Sequence, residues 1–312
     1  MKKNIRGVIR KMGFDLVKRE SEKQNVLHRY KVPMHDWEYK DGGIYLKEIG
    51  LQISEPRQIE NLWYLYAKKI RQVLKGKFYI STDQQLKLEF NDLQFTINDP
   101  EELYIIYEVF IEQHYNINPG KEFCVIDIGQ NVGITSLYFA GNPLVKKIYG
   151  FELFPETFRL GQVNIQSNKS LAPKITSHAF GLGKKEDHPE LEYSLQAKGR
   201  MGMYHENADL TAPKTKVKVE IRDVDAEVRK ISNEQPGVCI IGKIDCEGAE
   251  YEILERLFET GQIDVFSGFM IEWHYKDPAY LLALFNKHGF MVVKTTFEQQ
   301  VSGMIYASKT KA

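Results

Sequence analysis

Val125-Ile126-Asp127-Ile128-Gly129-Gln130-Asn131-Val132-Gly133 reads as a buried strand running into a glycine turn and then a helix. Such a turn lets a ligand approach the backbone closely, and a helix start behind it offers N–H donors. The stretch is not the G-x-G-x-x-G dinucleotide fingerprint. Asp127 stands two residues before the first glycine, where a carboxylate sits badly beside a pyrophosphate but well beside a cationic amine or sulfonium. S-adenosylmethionine carries both cations. The structural alternative is a tight βα turn in which Asp127 satisfies nearby N–H groups.

Working outward, Tyr149-Gly150-Phe151-Glu152 ends the next strand, and an acid at that point of a βαβ unit can accept from both hydroxyls of a ribose. Phe154 follows, as an adenine-stacking ring or as core. Lys243-Ile244-Asp245-Cys246-Glu247-Gly248-Ala249-Glu250 is another strand end passing into a helix, with carboxylates either serving the helix dipole or facing the cleft. Around these, strand-like runs (123–127, 148–152, 175–180, 238–245, 265–272, 290–294) alternate with helix-like ones (131–140, 155–167, 247–260, 278–288). Alternation of this kind predicts an α/β fold with a mostly parallel sheet covered by helices on both faces and ligands outside the strand carboxyl ends.

The D-I-G-x-N-x-G stretch at 127–133, F-E at 151–152, A-F-G at 179–181 and K-I-D-x-E-G-A-E at 243–250 resemble the FkbM family of S-adenosylmethionine-dependent methyltransferases. The resemblance covers about residues 100–295. It implies a Rossmann-like seven-stranded sheet and methyl transfer, commonly to a hydroxyl of a sugar, glycan or natural product. By position it implies that Asp127, Gly129, Asn131 and Gly133 line the methionine end of the cofactor, Glu152 the ribose and Phe180-Gly181 the adenine edge, with Asp245 near donor and acceptor. Gln130 stands where the family usually has a small residue and could crowd the methionine pocket, and Leu153 replaces a common proline. Ile271-Glu272-Trp273-His274 resembles the family's E-x-H element, which makes His274 the candidate general base, with Glu272 and Asp245 beside it. The alternative activator is a divalent cation such as Mg²⁺, held by Asp245 with Glu247 or Glu272.

Towards the N-terminus, Ile5, Val8, Ile9 and Met12 follow helical spacing among Lys2, Lys3, Arg6, Arg10 and Lys11. This short basic helix either packs on its own domain or touches a membrane surface or acidic partner weakly. Residues 21–55 read as irregular connection. A helix from Pro56 has the apolar stripe Ile59, Leu62, Trp63, Tyr66, Ile70, Val73 and Leu74, and Leu86-Leu88-Phe90 with Leu93-Phe95-Ile97 form a hairpin around Asn91-Asp92. The expected division is an accessory segment 1–80, a helical and hairpin extension, and a catalytic domain 81–312, in which 184–216 forms a lid or wall for the acceptor.

Forty-two Lys and Arg balance forty-two Asp and Glu in 312 residues, which argues against a protein that coats nucleic acid. No apolar run approaches the ~20 residues that span a bilayer. The three cysteines form no disulfide framework or zinc knuckle, so a cytoplasmic location is expected. Two rival readings share this sheet type: an NAD- or nucleotide-binding enzyme, and a non-catalytic binding protein.

Overall fold

The computed structural model describes residues 32–54, 62–203, 213–297 and 301–309, together with Leu27 and Gln58. The expected basic helix at 1–12 lies outside the described residues. The chain divides into two compact units, Met1–Tyr107 and Glu108–Ala312.

The first unit contains two antiparallel three-stranded sheets. One is a meander of β1 (Trp37–Lys40), β2 (Gly43–Leu46) and β3 (Leu51–Ile53), so this part of the chain is ordered sheet rather than irregular connection. Ile44, Leu46, Leu51 and Ile53 turn inward at alternate positions, and Asp41, Gly42 and Gly50 take the positive φ angles of the turns. Helix α1 (Tyr64–Val73) buries Tyr64, Ala67 and Ile70. Of the expected stripe, Leu62 and Ile70 are buried, whereas Trp63 and Val73 are 42% and 55% exposed. The second sheet joins β4 (Lys77–Ile80) to β5 (Leu86–Phe90) and β6 (Leu93–Ile97). Asn91 and Asp92 have φ of 47° and 61°, the left-handed pair a two-residue hairpin turn needs. This hairpin sits inside the first unit, which ends with α2 (Pro100–Ile106). The first compact unit thus runs to Tyr107.

The second unit is built on seven strands: β7 (Phe123–Ile128), β8 (Val145–Phe151), β9 (Ile175–His178), β14 (Cys239–Ile244), β15 (Phe266–His274), β16 (Phe290–Lys294) and β17 (Ser302–Lys309). Their order is β16-β17-β15-β14-β7-β8-β9, and every pairing is parallel except those of β17. Strand β17 slots antiparallel between β15 and β16 and belongs to no βα repeat. All residues of β7 and β14 are buried, as a central parallel strand covered on both faces requires. Helices α3 (Ile134–Ala140), α4 (Pro155–Ser167), α5 (Val224–Glu234), α6 (Glu250–Thr260) and α7 (Ala279–Lys287) supply the crossovers and cover. Between β9 and α5 lie four short strands: β10 (Gly181–Gly183) pairs with β13 (Ile221–Asp223), and β11 (Glu190–Tyr193) with β12 (Thr215–Lys218). Strand order reverses between β7 and β14, and the crevice at their carboxyl ends is where an open α/β sheet binds its ligand. No helix among the described residues is long and apolar enough to cross a membrane.

Candidate active site

The turn after β7 is held by the protein itself. Gly129 and Gln130 N–H both donate to Phe151 O at 3.0 Å, and Gly133 N–H donates to Gln130 O at 3.0 Å. Asn131 N–H donates to Glu152 Oε2 at 2.8 Å and Val132 N–H to Asn131 Oδ1 at 2.8 Å. Five consecutive amides are therefore used internally. Gly129 has φ 79°, and a Cβ there would stand 1.7 Å from Asp245 O. Its glycine lets the turns after β7 and β14 touch, as well as opening the backbone to a ligand.

An open cleft lies over these turns. Of the expected cofactor residues, Gly129, Asn131, Glu152, Gly181 and Asp245 line it. Glu247 adds a further carboxylate, Lys198 a cation, and Ile128, Leu153 and Met201 an apolar wall. Asp127, Gly133, Phe154 and Phe180 stand behind this surface. Asp127 is fully buried: Ser136 Oγ donates to it at 2.7 Å and Lys243 Nζ lies 3.2 Å from Oδ1. Phe154 packs on Tyr193, and Phe180 lies under the Arg222 guanidinium at 3.8 Å. Gln130 is buried against Gly150 and donates to Ser136 Oγ at 2.9 Å, so its side chain turns into the protein rather than into the cleft.

Lys243 links the two strand ends. The β7–β14 register sets it opposite Asp127, and its ammonium donates to Gly129 O at 2.7 Å and lies 3.5 Å from Asp245 Oδ2. Glu152 is buried, with both oxygens capped by the Asn131 and Phe154 amides. Burial pushes its carboxyl up to about 7 against those hydrogen bonds and the charge of Lys243, with Asp127 adding to the rise.

A second group of side chains gathers where β14 and β15 end. Tyr115 is buried, and its hydroxyl lies 3.1 Å from Asp245 Oδ2 and 3.4 Å from Glu272 Oε2. Glu250 Oε1 accepts from the backbone N–H of His274 at 2.7 Å and stands 3.0 Å from its Nδ1. The other ring nitrogen, Nε2, lies 3.5 Å from Glu272 Oε1 and 3.9 Å from Glu247 Oε1. Burial alone would lower the imidazole pKa, but the hydrogen bonds to Glu250 and Glu272 and the charge of Glu247 push it up to about 12. A His274 base would need the neutral ring, which the surrounding carboxylates disfavour. Of the carboxylates in 243–250, Asp245 and Glu247 line the cleft, whereas Glu250, in the first turn of α6, is fully buried behind His274.

The profile of the Methyltransferase FkbM domain matches residues 127–292. The chain belongs to this family. It is also similar to "Methyltransferase 1" of Beauveria bassiana (strain ARSEF 2860), 25% identical over an alignment of 210 residues that covers 63% of this chain and 79% of that protein. Among solved structures it is similar to the methyltransferase FkbM from Methylobacillus flagellatus KT, with a TM-score of 0.44 and 14% identity over 66% of this chain and 50% of that one. It thus spans about half the length of the Methylobacillus protein. A second likeness is to M. capricolum TrmK in complex with S-adenosyl-homocysteine, with a TM-score of 0.37 and 12% identity over 67% of this chain and 69% of that one.

Within this site, the sequence alone assigns no role to Tyr115 or Lys243, and it gives Glu250 to the helix dipole or the cleft rather than to His274. Lys243 carried a signal, being a charge inside a strand that must be buried on both faces. Tyr115 carried none, since its partners are 130 and 157 residues away.

Proposed function

We propose that the protein transfers a methyl group from S-adenosylmethionine to a hydroxyl of a sugar, glycan or natural-product acceptor. One observation carries this reading: the five turn amides are already bonded, while Glu152, Asp245 and Glu247 face the cleft. A pyrophosphate would find no free turn donors and three carboxylates, whereas a cationic cofactor finds complementary charge. When bound, S-adenosylmethionine supplies an electrophilic methyl group on sulfonium, which passes to the acceptor oxygen as the C–S bond breaks and leaves its electron pair on sulfur. The residues present fit that ligand. Glu152 would accept the ribose hydroxyls, Ile128, Leu153 and Gly181 would form the adenine wall, and Asp245 would face the cationic end. Asp127, with Lys243, would hold Gly129 in place from behind. Glu272 and His274 would stand on the acceptor side, where the hydroxyl proton must leave. The even charge balance of the chain supports a small acceptor over a polyanion.

Calorimetry separates this from the nucleotide reading. S-adenosylhomocysteine should bind and NADH should not, and Glu152→Ala should weaken binding by about 1–3 kcal/mol, the cost of leaving ligand hydroxyls without a charged acceptor. Unchanged affinity in that variant would sink the ribose role. Turnover of labelled S-adenosylmethionine over a panel of hydroxylated acceptors then tests transfer to oxygen.

The Glu152 carboxyl also makes a pH prediction. Its folded pKa is about 7, raised by burial. Only the ionised form accepts from both ribose hydroxyls, so affinity should be fully present above that value and fall as pH drops through it. Glu247 is pushed to about 7 as well, again by burial, so the measurement compares wild type with Glu152→Gln. The variant should lack part of the wild-type pH step; superimposable pH profiles would remove Glu152 from the ligand contact.

A further inference from the structure

We infer that Asp245, Glu272 and His274 form a binding site for one divalent first-row transition-metal ion at the border of the cofactor cleft. The inference rests on the methyltransferase reading only for the role of the ion, not for its binding. One ligand atom from each of the three residues falls within 4.8 Å of the others. An octahedral dication with bonds of about 2.1 Å holds adjacent ligand atoms roughly 3 Å apart, so the three side chains have to close by at most about two ångströms, a movement within reach of carboxylate rotamers.

The histidine argues for a built site rather than a chance gathering of acids. Its Nδ1 is 3.0 Å from Glu250 Oε1, and the same oxygen accepts from the His274 backbone amide at 2.7 Å. Glu250 is itself fully buried and accepts from Gly248 N–H at 2.8 Å through its other oxygen. A ring anchored this way by Nδ1 aims Nε2 at a fixed point, the carboxylate–histidine arrangement that orients ligating imidazoles. That point is occupied by Glu272 Oε1 at 3.5 Å. The Tyr115 hydroxyl stands within reach of Asp245 Oδ2 at 3.1 Å and Glu272 Oε2 at 3.4 Å, so its one proton serves either carboxylate of the pair. The nearest ammonium, Lys243, donates to Gly129 O and pairs with Asp127, and it lies 3.5 Å from Asp245 Oδ2, which leaves Asp245 Oδ1 for an ion.

One imidazole nitrogen with two carboxylates favours Mn²⁺, Fe²⁺, Co²⁺ or Zn²⁺ over Mg²⁺, which prefers oxygen ligands alone. Asp245 lines the cofactor cleft, whereas Glu272 and His274 do not, so the ion would stand beside the cofactor on the acceptor side and polarise an acceptor hydroxyl.

The test is a titration of Mn²⁺, and separately Mg²⁺, into the chelator-stripped full chain, followed by pulsed EPR of the Mn²⁺-loaded protein. Expected are one Mn²⁺ per chain, tighter binding than Mg²⁺, and a directly bound imidazole nitrogen in the EPR spectrum. Glu272→Gln, which preserves shape, should weaken Mn²⁺ at least tenfold, and His274→Ala should abolish the nitrogen coupling. Absence of Mn²⁺ binding, equal affinity in wild type and Glu272→Gln, or bound Mn²⁺ without nitrogen coupling each overturns the site. S-adenosylhomocysteine titrated into the same samples separates the two readings. Cofactor product bound without Mn²⁺ rejects the metal alone, and Mn²⁺ bound without cofactor product rejects the methyltransferase reading alone.

Discussion

Replacing Lys243 with methionine is expected to cost the fold about 3–5 kcal/mol, the range for breaking a buried pair from one side. Lys243 is 1% exposed and Asp127 fully buried, so the substitution leaves a carboxylate with only Ser136 as a hydrogen-bond donor. It also strips Gly129 O of its ammonium donor and Asp245 of its nearest cation. Urea denaturation of the single variant measures the loss. The double variant Lys243→Met with Asp127→Leu should recover most of it, because removing both charges removes the desolvation cost along with the attraction. Equal stability of wild type and the single variant would show that the pair does not hold the two strand ends together. Cofactor affinity should stay low in the double variant even with stability restored, since nothing then fixes the Gly129 carbonyl.

The second large effect is expected at Gly129. An alanine there meets two costs at once. The residue sits at φ 79°, where a side chain adds about 1–3 kcal/mol of strain. Its Cβ would fall 1.7 Å from Asp245 O, a backbone atom that cannot swing aside, and overpacking of that kind costs about 1–3 kcal/mol more. The relief available is to push the turn after β14 away, which moves Asp245 off its position in the cleft. Gly129→Ala should therefore lower both thermal stability and affinity for S-adenosylhomocysteine, the latter by at least tenfold. Gly237, at φ 74° with open space around it, is the control: alanine there should destabilise through backbone strain without touching cofactor affinity. If the two variants bind the ligand equally well, the contact between turns is not what shapes the cleft.

The alternation of apolar runs with helix-period segments was enough to establish a mostly parallel α/β sheet, because periodicity and glycine placement are local properties of the chain. Helix 155–167 emerged with the expected bounds, and the Asn91-Asp92 hairpin formed as its turn chemistry requires. The motifs at 127–133, 151–152 and 243–250 also marked strand carboxyl ends correctly, since a strand that stops at a glycine or an acid does so in its own sequence.

Tertiary structure decided the rest, for reasons that no window of sequence contains. Strand β17 is inserted antiparallel into the sheet at a place that only its pairing partners define. The meander at 37–53 uses strands too short for their alternation to stand out from a loop. Whether Asp127 faces a ligand or a lysine depends on the register that sets Lys243 beside it. Whether His274 is a free base, a cation or a ligand depends on Glu250, 24 residues earlier, and on Tyr115, whose hydroxyl joins Asp245 and Glu272 from outside the sheet. Charge and hydrogen bonding at a buried site are properties of the whole neighbourhood, and that neighbourhood exists only once distant segments have folded against one another.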